Sequence, residues 1–262
     1  MRGIAIYNNK GGVGKSTISL FLADFFATMK LSGKLARVLV IDLDAQNSSS
    51  NALLGIKTVS EARLNKHTIS HFLFTLALKE KSDLDPFLIK RLKNVTPKGK
   101  KPLCELSVMM TDRTNSLSFE KKCTKTGLKV LSKKLKSLLT EQFDFIFIDL
   151  PANIDERNRL SQLGLMLSDY ILIPTEPSRI AINSLPDTLK NIQNNSVRKI
   201  IKSQVLLVYC SIKQIKERNN INSTIKTYRR LRHQMKFQFL KIFYHSLQHY
   251  VQLLMTAFLL DH

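Results

Sequence analysis

The chain has 262 residues, and its 41 lysines and arginines against 20 aspartates and glutamates give a formal net charge of +21. That length can bury a sizeable core, and no linker divides it, so we expect one domain over residues 1–262. The charge disfavours a neutral partner and favours nucleic acid or an anionic membrane face. Lysines spread over every solvated helix face would give the same total.

The cysteines indicate neither a disulfide framework nor a zinc site. Cys104, Cys123 and Cys210 have no C-x-x-C spacing and no histidine cluster beside them, and we interpret them as free thiols. The first residues run directly into a glycine-rich motif and leave no room for a charged and then apolar signal segment. We therefore expect a cytoplasmic protein.

Apolar runs alternate with helical patterns along the chain. Several runs lack polar alternation, as strands buried on both faces of a parallel sheet do. After the first run, apolar residues at helical spacing from Ile18 to Met29 mark one face of a helix. This alternation predicts an α/β fold, a doubly wound and mostly parallel sheet with helices on both faces. The predicted strands are Gly3–Tyr7, Ala36–Leu43, Phe143–Leu150, Tyr170–Pro174 and Val205–Tyr209.

The stretch from Ser60 to Lys136 is harder to interpret, because its periodicity is weak and its turns are rich in lysine. We expect it to form helices and loops that decorate the sheet. Farther along, no glycine follows Gly164 and no proline follows Pro186. That is unusual for a doubly wound domain, whose connections commonly place glycine at helix ends.

A glycine-rich segment, Lys10-Gly11-Gly12-Val13-Gly14-Lys15-Ser16-Thr17, lies between the first predicted strand and the first predicted helix. This is the sequence context of a phosphate-binding P-loop. Glycines let backbone N–H groups approach phosphates, and the positive end of the helix adds to the attraction. We expect Lys15 to reach the β- and γ-phosphates and the Ser16 hydroxyl to bind Mg²⁺.

The segment departs from the standard pattern G-x-x-x-x-G-K-[ST], because Asn9 stands at the position of the first glycine and a second lysine, Lys10, follows it. This K-G-G-x-G-K-[ST] form resembles the deviant Walker A motif of the ParA/MinD group of P-loop ATPases. The resemblance covers about residues 1–195 and points to the ParA family of DNA-partitioning ATPases. It implies that Lys10 contacts the nucleotide held by the partner subunit of a dimer.

Two predicted strands end in carboxylates, at the edge where open α/β sheets bind their ligands. Asp42 and Asp44 resemble the family's D-x-D-P-Q segment, with Ala45 in place of the proline. That match implies that Asp44 orients or deprotonates the attacking water, that Asp42 supports the Mg²⁺ shell and that Gln46 belongs to a nucleotide-sensing switch. Asp149 resembles a Walker B carboxylate, which holds Mg²⁺ directly or through water.

The resemblance thus implies ATP as the nucleotide and Mg²⁺ as the metal. The expected catalytic residues are Lys10, Lys15 and Asp44, and the expected metal-binding residues are Ser16, Asp42 and Asp149. The expected nucleotide-binding residues are Gly11, Gly12, Val13, Gly14, Lys15, Ser16, Thr17, Gln46 and Pro174.

The last quarter of the chain, residues 196–262, departs from the family. Cys210 stands where relatives usually carry an asparagine near the adenine, and a basic segment, 226–232, precedes an apolar tail. The basic segment suits nonspecific contact with DNA phosphates, whereas the tail suits an interfacial membrane helix of the MinD type. A core helix with a solvated basic face, or an altered reading frame, would also explain both the basic segment and the apolar tail. The uninterrupted apolar run is too short to span a bilayer.

The cysteines and the charge disfavour some of the functions that occur in the deviant P-loop group. The chain lacks the cluster cysteines of a nitrogenase iron protein and the paired-cysteine metal site of an anion-pump ATPase. The basic charge favours a partition ATPase, whose ATP-dependent homodimer binds nonspecific DNA at the nucleoid and is stimulated by a centromere-binding, ParB-like partner. A membrane-cycling regulator is the alternative. A nucleotide-binding protein that has lost the cycle is a third possibility.

Overall fold

The computed structural model describes residues 1–78, 82–91, 104–154, 157–175, 179–195, 205–209 and 238–239. Ten strands occur in this part of the chain: β1 Arg2–Ile6, β2 Lys30–Leu31, β3 Lys34–Leu35, β4 Arg37–Asp42, β5 Ile89–Lys90, β6 Glu105–Met110, β7 Phe145–Asp149, β8 Tyr170–Thr175, β9 Val205–Tyr209 and β10 Gln238–Phe239. Eight of them form one sheet in the order β10-β9-β8-β1-β7-β4-β6-β5. Neighbouring strands in it are parallel, except that β5 is antiparallel to β6.

Helices connect most of the parallel strands. Those within the described residues are α1 Lys15–Thr28, α2 Ser48–Leu54, α3 Ile56–Leu64, α4 Ile69–Leu78, α5 Arg113–Lys122, α6 Lys125–Gln142, α7 Arg159–Leu167 and α8 Arg179–Asn195, with a short 3-10 turn at Asp85–Phe87. None of them is long and apolar enough to cross a membrane.

A hydrophobic core lies on each face of the sheet, because successive side chains of a strand point to opposite faces. In β7, Phe145 and Phe147 pack on the side of α1, α2 and α3. Ile146 and Ile148 pack on the other side, which α4 to α8 cover. Both faces are therefore buried, which explains the uninterrupted apolar runs. The prediction of a doubly wound, mostly parallel sheet is confirmed.

The five predicted strands are all present, with ends that differ from the predicted ones by two residues or fewer. The first predicted helix corresponds to α1, in which Ile18, Leu22 and Phe26 are buried against the sheet. Phe21, which shares the predicted apolar face, is 45% exposed. The width of the buried face was therefore overestimated by one residue.

The prediction for the stretch from Ser60 to Lys136 was wrong, because this stretch supplies two strands of the sheet as well as helices. Strand β6 pairs with β4 from Arg37–Glu105 to Asp42–Met110, and β5 pairs with β6 at the edge. Leu106, Val108 and Met110 are fully buried. The charged Glu105 and the polar Ser107 interrupt the apolar pattern that would have marked β6 as a strand.

Several predictions concern residues that the structure does not describe. They are the substitution at Cys210, the basic segment 226–232 and most of the apolar tail. Within the tail only Gln238–Phe239 is described, as a strand paired in parallel with β9.

One close contact fixes the spacing between β1 and the end of α7. A Cβ atom added at Gly3 would lie 2.4 Å from the Leu167 carbonyl oxygen and 3.1 Å from Ser168 Cα. Both are backbone atoms, which cannot move aside as a flexible side chain can. The Gly3 carbonyl also accepts a 2.7 Å hydrogen bond from the Asp169 N–H. Only glycine therefore fits at this position of β1.

We expect Gly3→Ala to lower the free energy of unfolding by about 1–3 kcal/mol, the usual cost of overpacking. Urea unfolding monitored by circular dichroism measures this change. Gly127→Ala is the matched control, because the added Cβ would meet only the Thr124 hydroxyl, at 3.2 Å, and alanine favours a helix. Equal stability of the Gly3 variant and the wild type would contradict the assigned contact.

Candidate functional site

The glycine-rich loop connects β1 to α1 at the carboxyl edge of the sheet. Gly12 (φ 73°) and Gly14 (φ 86°) are both in the left-handed region, which glycine adopts without strain. Gly14 is the N-cap of α1 and no side chain caps the helix, so its first N–H groups face the loop. A Cβ at Gly11 or Gly12 would have open space around it. The loop therefore leaves room for an anion beside the positive end of α1.

The end of β1 is fixed to β8 and α8 by Asn8, which is fully buried. Its Nδ2 donates a 2.7 Å hydrogen bond to the Pro174 carbonyl, and its Oδ1 accepts one of 2.9 Å from the Lys10 N–H. The Thr188 hydroxyl of α8 lies 3.2 Å from Asn8 Oδ1 and 2.5 Å from Asn9 Oδ1. Asn8 thus connects the loop to the predicted nucleotide-binding residue Pro174.

The two predicted lysines meet within the loop. Lys15 Nζ donates a 3.2 Å hydrogen bond to the carbonyl oxygen of Lys10. Burial lowers the pKa of Lys15, and the nearby charges of Asp149 and Asp44 oppose this effect. The cationic form of Lys15 is therefore incompletely compensated, and an anion in the loop would stabilise it. Val13 is buried and Thr17 is exposed.

The two predicted metal-site carboxylates are neighbours across the sheet, because Asp42 is paired in register with Asp149 between β4 and β7. Asp42 accepts hydrogen bonds at Oδ2 from the Ser50 N–H and hydroxyl, each 2.8 Å, and at Oδ1 from the Asp44 N–H. Burial and then the charge of Asp149 raise the pKa of Asp42 to about 7. Both oxygens of Asp42 are therefore engaged within the chain.

Asp149 differs from Asp42 because one of its oxygens lacks a partner. Oδ2 accepts a 2.5 Å hydrogen bond from the Ser49 hydroxyl, whereas Oδ1 is buried with no hydrogen-bond partner among the described residues. Burial raises the pKa of Asp149, opposed by the hydroxyls of Ser49 and Ser16. A buried, unsatisfied carboxylate oxygen near a serine hydroxyl fits Mg²⁺, which prefers oxygen ligands. The residues present therefore fit the expected metal.

The remaining predicted residues lie in a tight turn between β4 and α2, residues 44–47, which we name the switch turn. The Gln46 N–H donates a 3.0 Å hydrogen bond to Asp44 Oδ1, and the Asn47 N–H donates one of 2.8 Å to the Asp44 carbonyl. Ala45 and Gln46 are exposed. Gln46 lines a cleft of about 900 Å³ formed with α3 and the start of α5, so the turn connects the loop region to that cleft.

Sequence reasoning missed several polar residues that hold this site. Asn8 was not singled out, nor were the three hydrogen-bonding residues at the start of α2. The signal was present, since an asparagine and a run of serines follow the predicted carboxylates directly. Their partners, however, are distant in the chain: Ser49 and Asp149 are 100 residues apart. The missed residues at the start of α2 are Asn47, Ser49 and Ser50.

Comparison with known proteins shows the family and the fold of the chain. A family model described as an AAA domain (AAA_31) matches residues 1–207. A plasmid partition protein from Borrelia burgdorferi bound to AMPPNP has the same fold, with a TM-score of 0.63, 21% identity and 98% of each chain covered. The chain belongs to the ParA family of P-loop ATPases. The structure of pNOB8 ParA bound to nonspecific DNA also shares the fold of this ParA-family chain, with a TM-score of 0.61, 20% identity and coverage of 90% of this chain and 75% of that one.

Curated relatives of this ParA-family chain extend over most of its length. An uncharacterised protein of Methanocaldococcus jannaschii is 31% identical over 205 residues, which are 76% of this chain and 69% of that protein. The maintenance of carboxysome distribution protein A of Synechococcus elongatus is 30% identical over 197 residues, or 75% of this chain and 66% of that protein. An uncharacterised protein of Pseudomonas putida is 27% identical, and only 63% of it is matched.

The raised pKa values predict how stability depends on pH without nucleotide. Asp42, with a pKa of about 7 in the folded chain and 3.8 ordinarily, binds its proton more tightly when folded. Asp42 therefore contributes a fall in the free energy of unfolding as the pH rises from about 4 to about 7. Asp42→Asn should remove this contribution, so that the slope of the variant is more positive than that of the wild type by up to about 1.4 kcal/mol per pH unit, the equivalent of one proton.

Urea unfolding of both proteins at several pH values in this window measures the difference. The comparison with the variant removes the contribution of the titrating groups that do not interact with Asp42. Parallel slopes in the two proteins would contradict the raised pKa of Asp42.

Proposed function

We propose that this chain is an ATP-dependent partition ATPase, which forms an ATP-sandwich dimer, binds nonspecific DNA and hydrolyses ATP when a centromere-binding partner stimulates it. The observation that carries the proposal is the P-loop with two lysines, which leads into α1 and lies beside the unsatisfied carboxylate oxygen of Asp149. The partition protein bound to AMPPNP and the ParA bound to nonspecific DNA support it.

The glycine-rich loop and the start of α1 bind the phosphates. The N–H groups that follow Gly12 and Gly14 and the positive end of the helix attract the phosphate oxygens. Lys15, whose cationic form is incompletely compensated without an anion, pairs with the β- and γ-phosphates. Lys10 reaches the phosphates of the partner subunit and adds a second cation where charge develops in phosphoryl transfer.

Ser16 and Asp149 would hold Mg²⁺, and Asp42 supports them from the neighbouring strand. When bound, Mg²⁺ supplies a charge that neutralises the phosphate oxygens during transfer. Because both oxygens of Asp42 already accept hydrogen bonds from Ser50 and Asp44, we assign Asp42 to the support of this site and the direct contact to Asp149. The serine hydroxyl of Ser49 orients Asp149 through Oδ2.

Asp44 is the residue that we assign to the attacking water. It lies at the start of the switch turn, half-buried, and its carboxylate approaches the loop closely enough to act on the charge of Lys15. A carboxylate in this position orients the water and accepts its proton. Gln46, at the tip of the same turn, transmits the state of the nucleotide to the cleft beside α3 and α5.

Substitutions should separate nucleotide binding from hydrolysis. Lys15→Ala should abolish ATP binding, because the phosphates lose their main cation. Asp44→Ala should retain ATP binding and lower kcat by about 10²–10⁴, the usual contribution of a general base, so that an ATP-bound dimer accumulates. Fluorescent-nucleotide titration, phosphate release and light scattering measure these effects.

Asp83→Ala, which removes an exposed carboxylate outside the site, is the control for Asp44→Ala. Normal hydrolysis by the Asp44 variant would show that its assigned role is wrong. Loss of ATP binding in that variant would also contradict it, because Asp44 is assigned to the water and not to the nucleotide.

DNA binding should require ATP and be sensitive to salt, because phosphate contacts release counterions. Co-sedimentation with nonspecific DNA, with ATP, with ADP and without nucleotide at two salt concentrations, measures it. Replacement of Arg229, Arg230 and Arg232 by alanine should weaken binding at every sequence and reduce the salt slope by about one for each lost contact. Lys129, Lys133 and Lys134 of α6, all exposed, give a control with the same change of charge.

Equal loss in both triple variants would mean that the total charge, and not the basic segment, binds DNA. Equal binding in all three nucleotide states would contradict the ATP switch. Retention on anionic vesicles instead of DNA, lost on removal of residues 236–262, would favour a membrane-cycling regulator.

A further inference from the structure

Asn47 ends the switch turn and has features that a simple helix start does not require. It is fully buried, with a left-handed backbone (φ 52°), and it occupies the N-cap position of α2. Its side chain makes no capping hydrogen bond to the helix. Instead, Nδ2 donates a 2.9 Å hydrogen bond to the carbonyl oxygen of Thr111, beyond the end of β6. The side chain therefore holds the turn and not the helix.

The acceptor of this bond is itself held firmly. The Thr111 N–H donates a 3.1 Å hydrogen bond to the Asp42 carbonyl, which continues the pairing of β6 with β4. The Thr111 hydroxyl bonds that of Ser116 in α5, and Ser116 bonds Ser70 in α4 at 2.9 Å. All these groups are buried. Asn47 is thus hydrogen-bonded to Thr111, which contacts with β4, α5 and α4 hold in place at the end of β6.

The hydrogen bond between Asn47 and Thr111 also affects the position of Asp44. On one side Asp44 follows β4 after one residue, and its N–H bonds Asp42 Oδ1 at 3.2 Å. On the other side, the exposed Ala45 and Gln46 intervene before Asn47, whose N–H bonds the Asp44 carbonyl at 2.8 Å. Asn47 is therefore the nearest residue after Asp44 in the turn that is both buried and bonded by its side chain outside the turn. The position of Asp44 depends on this anchor as well as on Asp42.

Asn47 stands at this place although its side chain is unfavourable for stability in one respect. Asparagine is one of the few residues besides glycine that adopt a left-handed backbone readily, but its Oδ1 is buried with no hydrogen-bond partner among the described residues. Glycine would satisfy the backbone and leave no orphaned oxygen. Groups that are strained or unsatisfied in this way occur at functional sites, where the surrounding structure maintains them.

We infer that Asn47 is a positioning residue for ATP hydrolysis, which holds the switch turn so that Asp44 meets the attacking water. The inference rests on the proposed function, since it assigns Asn47 a role in that reaction through Asp44. It requires no contact between Asn47 and the nucleotide. The loss of Asn47 should therefore affect turnover and spare nucleotide binding.

Two substitutions test the anchor while they retain the backbone shape. Asn47→Gly accepts the left-handed conformation but removes the bond to Thr111, and we expect kcat to fall about 10–100-fold, as for a misplaced catalytic group. Asn47→Asp retains the shape but sets a carboxylate against the Thr111 carbonyl, so kcat should fall further. The affinity for AMPPNP should stay within about twofold of wild type in both, because the phosphate-binding loop is unchanged.

A measurement without nucleotide makes the test independent of activity. Hydrogen exchange of the nucleotide-free protein should show lower protection of the amide of residue 47 in both variants, each compared with the intrinsic rate of the residue present, since the anchored turn protects this N–H. Asn51→Ala, on the next turn of α2, is the control and should change neither exchange nor kcat. A merely structural role would lower the midpoint of thermal unfolding and leave the kcat of the folded protein unchanged.

Wild-type turnover by Asn47→Gly would overturn the inference and leave the proposed function intact. Unchanged amide exchange in both variants would overturn it as well, even if turnover fell. If the wild-type chain hydrolysed no ATP with DNA and its partner present, the proposed function would fail, and the inference with it.

Discussion

The register between β4 and β7 places two carboxyl groups, Asp42 and Asp149, side by side at the ends of neighbouring parallel strands. Each is buried, and burial raises the pKa of both. Strands in this arrangement are about 5 Å apart, so the two charges repel each other at close range unless donors or cations compensate them. Much of the surrounding structure provides that compensation.

The donors come from the first turn of α2, which determines where that helix must begin. Ser49 bonds Asp149 and Ser50 bonds Asp42 through both its N–H and its hydroxyl. For these serines to face the carboxylates, the chain must leave β4 after Asp42, reverse within five residues and start α2 at Ser48. The switch turn is the result, and its left-handed Asn47 follows from the tight reversal. The position of Asp44 is thus a consequence of the need to compensate the two carboxylates.

Much of this arrangement could be predicted from the sequence, and what was missed has two physical causes. Strands β1, β4 and β7 are buried on both faces and give uninterrupted apolar runs, and the loop motif is local in sequence. Strand β6 escaped prediction because Glu105 and Ser107 break its pattern. Asn8 and Pro174 are hydrogen-bonded across 166 residues, and no local pattern reports such a contact. Elements with an unbroken apolar pattern were predictable, whereas β6 and the polar contacts that join the elements required the structure.

The compensation within the chain is incomplete, and this incompleteness is useful for a switch. Asp149 retains an unsatisfied oxygen, Asp42 has a pKa near neutrality, and burial disfavours the cation of Lys15. Each of these groups is less stable without ligand than it would be beside a metal ion and phosphates. A ligand that completes them binds the folded site and not the unfolded chain, so it stabilises the fold by mass action. It also shifts any equilibrium between conformations that hold the carboxylates differently.

The stability of the nucleotide-free chain and the sensitivity of the proposed cycle therefore depend on the same groups. If the carboxylates were fully satisfied within the chain, a ligand would gain less free energy by completing them and would shift any equilibrium of the switch turn less. If they were much less satisfied, the chain without nucleotide would lose a large part of its small net stability. The chain lies between these two cases. Ser49, Ser50 and the Asp44 N–H donate hydrogen bonds to three of the four oxygens of Asp42 and Asp149. The fourth, Asp149 Oδ1, accepts none among the described residues. The same hydroxyls that compensate the carboxylates therefore leave one carboxylate oxygen open, to which a ligand can bind.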